Sequence, residues 1–342
     1  MTDVIHAIKN FAVLNEAVER CNQVVLETLG RNTVRESSVA IECFNNGGKR
    51  LRPALLILSS MIPDERGCGE VEPGLVDLAG AVELVHLATL FHDDVIDQVD
   101  HRRAKLSARL KYGNYVSVLT GDFALAEALD LVQRSGFPEA MPEFVRTLRV
   151  LVRGESLEST HKYDFAMTEA QYYDIISEKS ASLFALSCKV GGMMHGTQYA
   201  DILGHFGWNL GMAFQMIDDL DDMLADPNRS SDCDLRNGYL ALPLIRALNH
   251  VGDGHRDALI RIIENADFGP MNERFIVSVC LENGTIADTR KEIQRHLDRA
   301  DAALERFGDG EPAGLLRHIV KDLRSYADGQ VDNFAAFVGS AG

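Results

Sequence analysis

The cysteine spacing of a zinc site or a disulfide framework is missing from this 342-residue chain. Its six cysteines (Cys21, Cys43, Cys68, Cys188, Cys233 and Cys280) are scattered without a Cys-x-x-Cys pair, so reduced thiols with no chemistry are expected. Excess positive charge is missing too. At a formal net charge of −17 the chain offers no basic face to a phosphate backbone, which excludes nucleic acid as a partner. Anionic small molecules stay open if metal ions or a few placed cations assist. The N-terminal stretch lacks the basic and unbroken apolar regions of an export signal, and no segment runs for about eighteen uncharged apolar residues. No transmembrane segment is therefore expected, and the expected location is cytoplasmic. With no Pro/Ser-rich linker, low-complexity block or internal repeat to mark a seam, one domain spanning 1–342 is expected.

What is present is apolar periodicity. Hydrophobic residues make up 46% of the chain, enough for a sizeable core, and they recur at helical spacing, as in Ile5, Ile8, Phe11, Leu14, Val18, Val25 and Leu29. Strand-like alternation is scarce. The pattern predicts helices over 2–29, 34–44, 52–61, 74–100, 113–134, 138–162, 168–193, 199–224, 239–250, 255–266, 270–282, 284–306 and 311–327, hence an all-α bundle. The longest irregular stretch, 225–232, directly follows a carboxylate cluster and is a candidate lid.

The strongest chemical signal is Phe91-His92-Asp93-Asp94-Val95-Ile96-Asp97, at the end of a long apolar helix. Asp93 and Asp97 lie four apart, so on a helix they share a face about 6 Å apart. Three carboxylates at a helix C-terminus oppose its dipole and repel one another unless a cation compensates. The arrangement recurs as Asp218-Asp219-Leu220-Asp221-Asp222, where Asp218 and Asp222 share a face. A single acidic cluster is often only a solvated helix end. Two copies of Asp-Asp-x-x-Asp, each after an apolar run, argue for function. Hard oxygen donors without His or Cys in ligand spacing select magnesium or manganese. Magnesium prefers to share its shell with phosphate, so facing clusters imply a metal-bridged diphosphate site.

Cations complete a second site. Asn46-Gly47-Gly48-Lys49-Arg50-Leu51-Arg52-Pro53 is a basic knot at a helix start, where free amides and small residues suit a phosphate. Arg102 and Arg103 follow the first cluster, with the planar forks that phosphate oxygens accept. His86 precedes Asp93 by two helical turns and shares its face. Lys179 stands amid mostly apolar neighbours, where burial demands an anionic partner. The bland alternatives are an ordinary basic cap, a surface arginine pair, a core histidine and a snorkelling lysine.

In combination these motifs resemble the trans-isoprenyl diphosphate synthase, or polyprenyl synthetase, family. Gly47 to Pro53, the first cluster with Arg102-Arg103, Gly121-Asp122, Gly154-Glu155, Lys179-Ser180, and Phe214-Gln215 before the second cluster occur in the family's order. The resemblance implies a single-domain isoprenoid-synthase-type helical bundle around a central cavity, usually a homodimer. It implies that Asp93, Asp94, Asp97, Asp218, Asp219 and Asp222 hold about three magnesium ions around an allylic diphosphate, aided by Arg102, Lys179 and Gln215 and with Phe214 at the same site. Lys49, Arg52, His86 and Arg103 are implied to bind isopentenyl diphosphate. The implied reaction is head-to-tail trans condensation of the two substrates, with released diphosphate as the base.

The chain departs from the family's pattern at several positions. Tyr239 stands where the family has a lysine and Ala241 where it has a threonine. Arg229 lies near another lysine position, Glu158 replaces a glutamine and Ala104 a glycine. In this family the residues four and five before the first aspartate face the growing chain. Here Thr89 and Ala88 are both small, so a product of twenty carbons or more is expected. Two other readings use the same residues: a terpene cyclase acting on one prenyl diphosphate, and a non-catalytic subunit of a heteromeric synthase. The retained Lys49, Arg52, His86 and Arg103 oppose the first, and the two intact clusters oppose the second.

Overall fold

The computed structural model describes residues 11–62, 71–102, 105–224, 234–308 and 310–339. Arg103, Ala104, Cys68, Cys233, Arg229, the candidate lid and the start of the first predicted helix lie outside the described residues. Those described are helical almost throughout, and the only strands among them are two of two residues each. In chain order the helices are α1 Ala12–Gly30, α2 Arg35–Asn45, α3 Leu51–Met61, α4 Pro73–Ile96, α5 Ala108–Tyr112, α6 Asn114–Arg134, α7 Ala140–Thr160 and α8 Glu169–Ile176. There follow α9 Ser182–Met193, α10 Thr197–Met223, α11 Leu242–His250, α12 Asp253–Glu264, α13 Pro270–Glu282, α14 Thr285–Leu304 and α15 Glu311–Gly339.

Contacts divide the chain into two interleaved units. The first comprises Met1–Arg149, Leu183–Trp208 and Asp301–Ile319, and the second Val150–Ser182, Asn209–Ala300 and Val320–Gly342. The core of the first unit is α4, which packs most extensively on α6 and also on α1 and α3. From Gly74 to Ala88 its side chains are buried at every position but Asp77 and His86, as befits a helix apolar all round. Length and composition alone would let α4 cross a membrane, yet 72% of its most apolar window is buried inside the protein. Close approach explains particular glycines. A Cβ on Gly191 of α9 would lie 2.2 Å from the Leu56 carbonyl oxygen of α3.

The second unit packs α11 against α8, α12 and α13. Leu244, Ile245, Leu248, Leu259, Ile263, Ile276 and Val279 are buried there, each such side chain contributing roughly 1.5–3 kcal/mol. Arg246 of α11 ties itself to α8 through Glu169 at 2.7 Å and the Tyr173 hydroxyl at 3.2 Å.

Three predicted boundaries move. The helix predicted over 74–100 ends at Ile96, because Gln98 adopts φ 56° and starts a turn. A small antiparallel hairpin follows, pairing His101 with Leu106 and Arg102 with Lys105. The helix predicted over 168–193 is interrupted at Ser177–Ala181 by a π-turn, and the last helix runs to Gly339 rather than 327. The described cysteines Cys21, Cys43, Cys188 and Cys280 are free thiols. Burial pushes Cys43 up to about 11 and Cys188 and Cys280 up to about 12, far from reactive thiolates.

Candidate active site

In the first unit, the basic knot enters α3 through Gly47, whose φ of 99° suits a residue without a Cβ. Arg50 follows in a left-handed conformation, φ 49°, which for a non-glycine residue needs support from its surroundings. That support is visible. Its guanidinium donates to Asn22 Oδ1 at 2.9 Å, Glu83 Oε1 at 2.7 Å and the Phe44 carbonyl at 3.0 Å, and lies 3.8 Å from the centre of the Phe44 ring. Glu83 is buried in the apolar face of α4, where a lone carboxylate would be costly. Arg50 is thus engaged by the fold, while Lys49 beside it is exposed. Arg52 is half-buried, with its guanidinium 4.6 Å over the Phe184 ring.

The end of α4 carries a half-buried stripe, His86, Leu90, Asp93 and Asp97, spaced by three or four residues as one helix face requires. Asp97 caps the helix through its N–H to the Asp93 carbonyl at 2.8 Å, so the face is kept although Asp97 lies just past the helix. Asp94 turns away from this stripe. It is 3% exposed and accepts 2.7 Å from Arg102 Nε. A cleft lies here, lined among others by Gly47, Arg50, His86, Phe91, Asp94 and Arg102. Ala88 is buried, and the half-buried Thr89 donates its hydroxyl back to the His86 carbonyl at 2.9 Å. Gly121 of α6 admits the His92 ring: a Cβ there would sit 2.3 Å from His92 Nε2.

In the second unit, α10 buries Met212, Ala213, Met216, Ile217 and Leu220, a helical spacing that leaves its acidic residues on the remaining surface. Asp218 is exposed and Asp222 half-buried, and Asp222 accepts from the Asp234 backbone N–H at 2.9 Å. The other two carboxylates are held by neutral donors. Asp219 receives the Tyr172 hydroxyl and Gln215 Nε2, the latter at 2.8 Å; Gln215 in turn accepts from Ser180 at 2.6 Å. Asp221 receives the Tyr326 hydroxyl at 2.8 Å and the Gln330 amide. Burial pushes the Asp219 carboxyl up to about 7; the bonds from Tyr172 and Gln215 oppose this, and Asp218 and Asp222 add to it. Desolvation, with Asp219 alongside, holds the Tyr172 phenol protonated well above its ordinary range.

Lys179 sits in the π-turn, a feature frequent at functional sites. Gly154 of α7 lets the turn approach, since a Cβ there would lie 2.6 Å from the Lys179 backbone nitrogen. The anionic partner expected of Lys179 is a pair: Glu155 at 3.0 Å and Glu158 in a closer contact. Phe214 is half-buried on α10.

The supporting residues Asn22, Glu83, Tyr172, Tyr326 and Gln330 were missed by the sequence reading, whereas Ser180 stood in the Lys179-Ser180 motif. A carboxylate within an apolar run, as at Glu83, is the one signal that calls for a cation, without saying which. Among the described residues no three His, Cys, Asp or Glu side chains converge as a ready-made metal site. The donors are nonetheless the hard carboxylates that suit magnesium when phosphate oxygens and water fill its remaining positions.

The polyprenyl synthetase family model matches residues 36–274. Over 298 residues the chain is 32% identical to the octaprenyl diphosphate synthase of Escherichia coli (strain K12), covering 84% of this chain and 89% of that one. Over 247 residues it is 35% identical to the nonaprenyl diphosphate synthase of Mycobacterium tuberculosis, covering 70% and 72%. The fold is similar to the crystal structure of a polyprenyl synthase from Caulobacter crescentus CB15 complexed with calcium and isoprenyl diphosphate: TM-score 0.85, 28% identity, 94% of this chain and 97% of that one.

Proposed function

Because the chain belongs to the polyprenyl synthetase family, and is thus a trans-prenyltransferase joining isopentenyl diphosphate to an allylic prenyl diphosphate, we propose the following division of labour among its residues. Asp93 and Asp97 of the first cluster and Asp218 and Asp222 of the second hold the divalent ions against the allylic diphosphate. Asp94 and Asp219 complete each cluster from positions fixed by Arg102 and by Tyr172 and Gln215. The observation that carries this reading is the shared design of the clusters: in each, an i, i+4 carboxylate pair stands on the less buried side of a helix end, and the middle aspartate accepts side-chain hydrogen bonds that fix its position.

Magnesium, about three ions with manganese as a substitute, supplies positive charge to the leaving oxygens when bound. The rest falls to the chain. Lys179, Arg102 and Gln215 orient the allylic diphosphate, and Phe214 shields it; for Lys179 this means exchanging Glu155 and Glu158 for phosphate oxygens. Lys49, Arg52, His86 and Arg103 hold isopentenyl diphosphate. The allylic C–O bond breaks, with its electron pair leaving on diphosphate. The double bond of isopentenyl diphosphate forms the new C–C bond, and a proton passes to the released diphosphate. Water must be kept out while the allylic cation exists.

Small side chains at Ala88 and Thr89 permit growth to twenty carbons or more. One all-α domain, a homodimer and a cytoplasmic location complete the proposal; the exposed Tyr115 of α6 is apolar surface that a second copy would cover. The test is incubation of the purified chain with isopentenyl and farnesyl diphosphates, with and without magnesium, followed by chain-length analysis. Polyprenyl products that vanish with a chelator are expected, and Thr89→Phe should shorten them. Turnover undiminished by the chelator, or products formed only without isopentenyl diphosphate, would refute the reading.

A further inference from the structure

We propose that Lys162 is a diphosphate-binding residue of the second unit, supplying the cation that Tyr239 does not; this rests on the reading of the chain as a prenyl diphosphate synthase. The segment Asp234–Tyr239 is tied at one end to the second aspartate cluster, because the Asp234 N–H donates to Asp222 at 2.9 Å. It folds back on itself through the Tyr239 N–H to the Asp234 carbonyl at 3.0 Å. At its other end it is fastened to the turn after α7. The Tyr163 N–H donates to the Gly238 carbonyl at 2.9 Å, and the Tyr163 hydroxyl to the Arg236 carbonyl at 3.3 Å. Gly238 is required there: its φ is 85°, and a Cβ would lie 2.6 Å from the Tyr163 ring. The turn carrying Lys162 and the segment bonded to Asp222 therefore form one connected piece of structure.

Within it, the Lys162 ammonium lies 4.9 Å from the centre of the Tyr239 ring. An aromatic face holds a cation without neutralising it. Lys111, Lys179, Lys189 and Lys291 each pair with a carboxylate, whereas Lys162 has no ion pair among the described residues. One turn before Lys162, Glu158 takes up Lys179 together with Glu155, leaving that lysine shared between two carboxylates. A cation fixed on a ring, beside a segment bonded to Asp222 and with its ammonium hydrogens still available, is suited to an incoming diphosphate oxygen.

The test is magnesium-dependent binding of inorganic pyrophosphate to the full chain, measured by calorimetry, which needs no turnover. Lys162→Met, which keeps the alkyl stem on the ring, should weaken binding about tenfold, as loss of one charge-assisted contact does. Lys162→Arg should stay within about threefold of the parent, and Tyr239→Lys added to Lys162→Met should recover most of the loss. Lys291→Ala, which removes an equal charge at a distance, should change nothing. In steady-state assays Lys162→Met should raise KM for farnesyl diphosphate by a similar factor and leave KM for isopentenyl diphosphate within about twofold. Equal pyrophosphate affinity in the parent and Lys162→Met overturns the assignment even if the enzyme is active. An inactive parent refutes the synthase reading instead, without bearing on the binding result.

Discussion

The two aspartate clusters share one sequence pattern and sit in different electrostatic surroundings. In the first, the middle carboxylate Asp94 is almost fully buried and faces an arginine, Arg102. In the second, the equivalent Asp219 faces the phenol of Tyr172 and the amide of Gln215, and its carboxyl is pushed up to about 7, chiefly by burial. The middle carboxylate of one cluster thus faces a formal cation, and that of the other only neutral donors. The same contrast runs through the surroundings. Around the first cluster Arg50 and Arg102 neutralise Glu83 and Asp94 one to one, whereas around the second a single Lys179 is shared by Glu155 and Glu158.

The largest effect expected treats the clusters as equals. Asp97→Asn and Asp218→Asn should each lower kcat by about 10³-fold, read by steady-state assay with saturating magnesium. A loss confined to one of them would mean that only one cluster serves the metal. The next separates them. Arg102→Ala leaves a buried carboxylate without its ion-pair partner and should cost about 3 kcal/mol of stability. Tyr172→Phe removes a neutral hydrogen bond and should cost about 1 kcal/mol. Denaturant melts of the metal-free protein read both, and equal costs would erase the distinction.

A third test concerns pH. Asp219 is raised in the folded state from 3.8 to about 7, so between those values the unfolded chain releases a proton that the folded chain retains. The metal-free protein therefore loses stability as pH rises through that window. Asp219→Asn should flatten this slope by on the order of 1 kcal/mol, measured by melts at pH 5 and pH 7; an unchanged slope would show that the site is less desolvated than its geometry implies. The smallest effect belongs to Glu158→Gln. Freeing Lys179 from one of its two carboxylates should lower KM for the allylic diphosphate about threefold, the size of one partly solvated ion pair, and a rise in KM would mean that Glu158 positions Lys179 productively.

Much of this was readable from residue order. The i, i+4 spacing of Asp93 and Asp97, and of Asp218 and Asp222, needs only helical geometry, and His86 on the same stripe follows from two turns of the same helix. The apolar run of α4 announced a core helix, whereas the pairing of Glu83 with Arg50 inside it did not show in residue order. Less legible were features set by contacts distant in sequence. The π-turn at Lys179 depends on Gly154 allowing α7 to come close, and no local propensity encodes that approach. The hairpin after Asp97 depends on the left-handed Gln98, a conformation that glutamine does not advertise. Tyr326 and Gln330 reach Asp221 from more than a hundred residues away, and Gln330 does so from the part of α15 beyond the predicted end at 327.

Residue order alone sets the all-helical architecture and the spacing that puts Asp93 with Asp97 and Asp218 with Asp222, because both follow from the 3.6-residue period. Which partner each carboxylate faces is set by the packing of segments distant in the chain. An aspartate facing an arginine and one facing a phenol are the same letter in the same motif, and burial together with the partner's charge sets how each behaves.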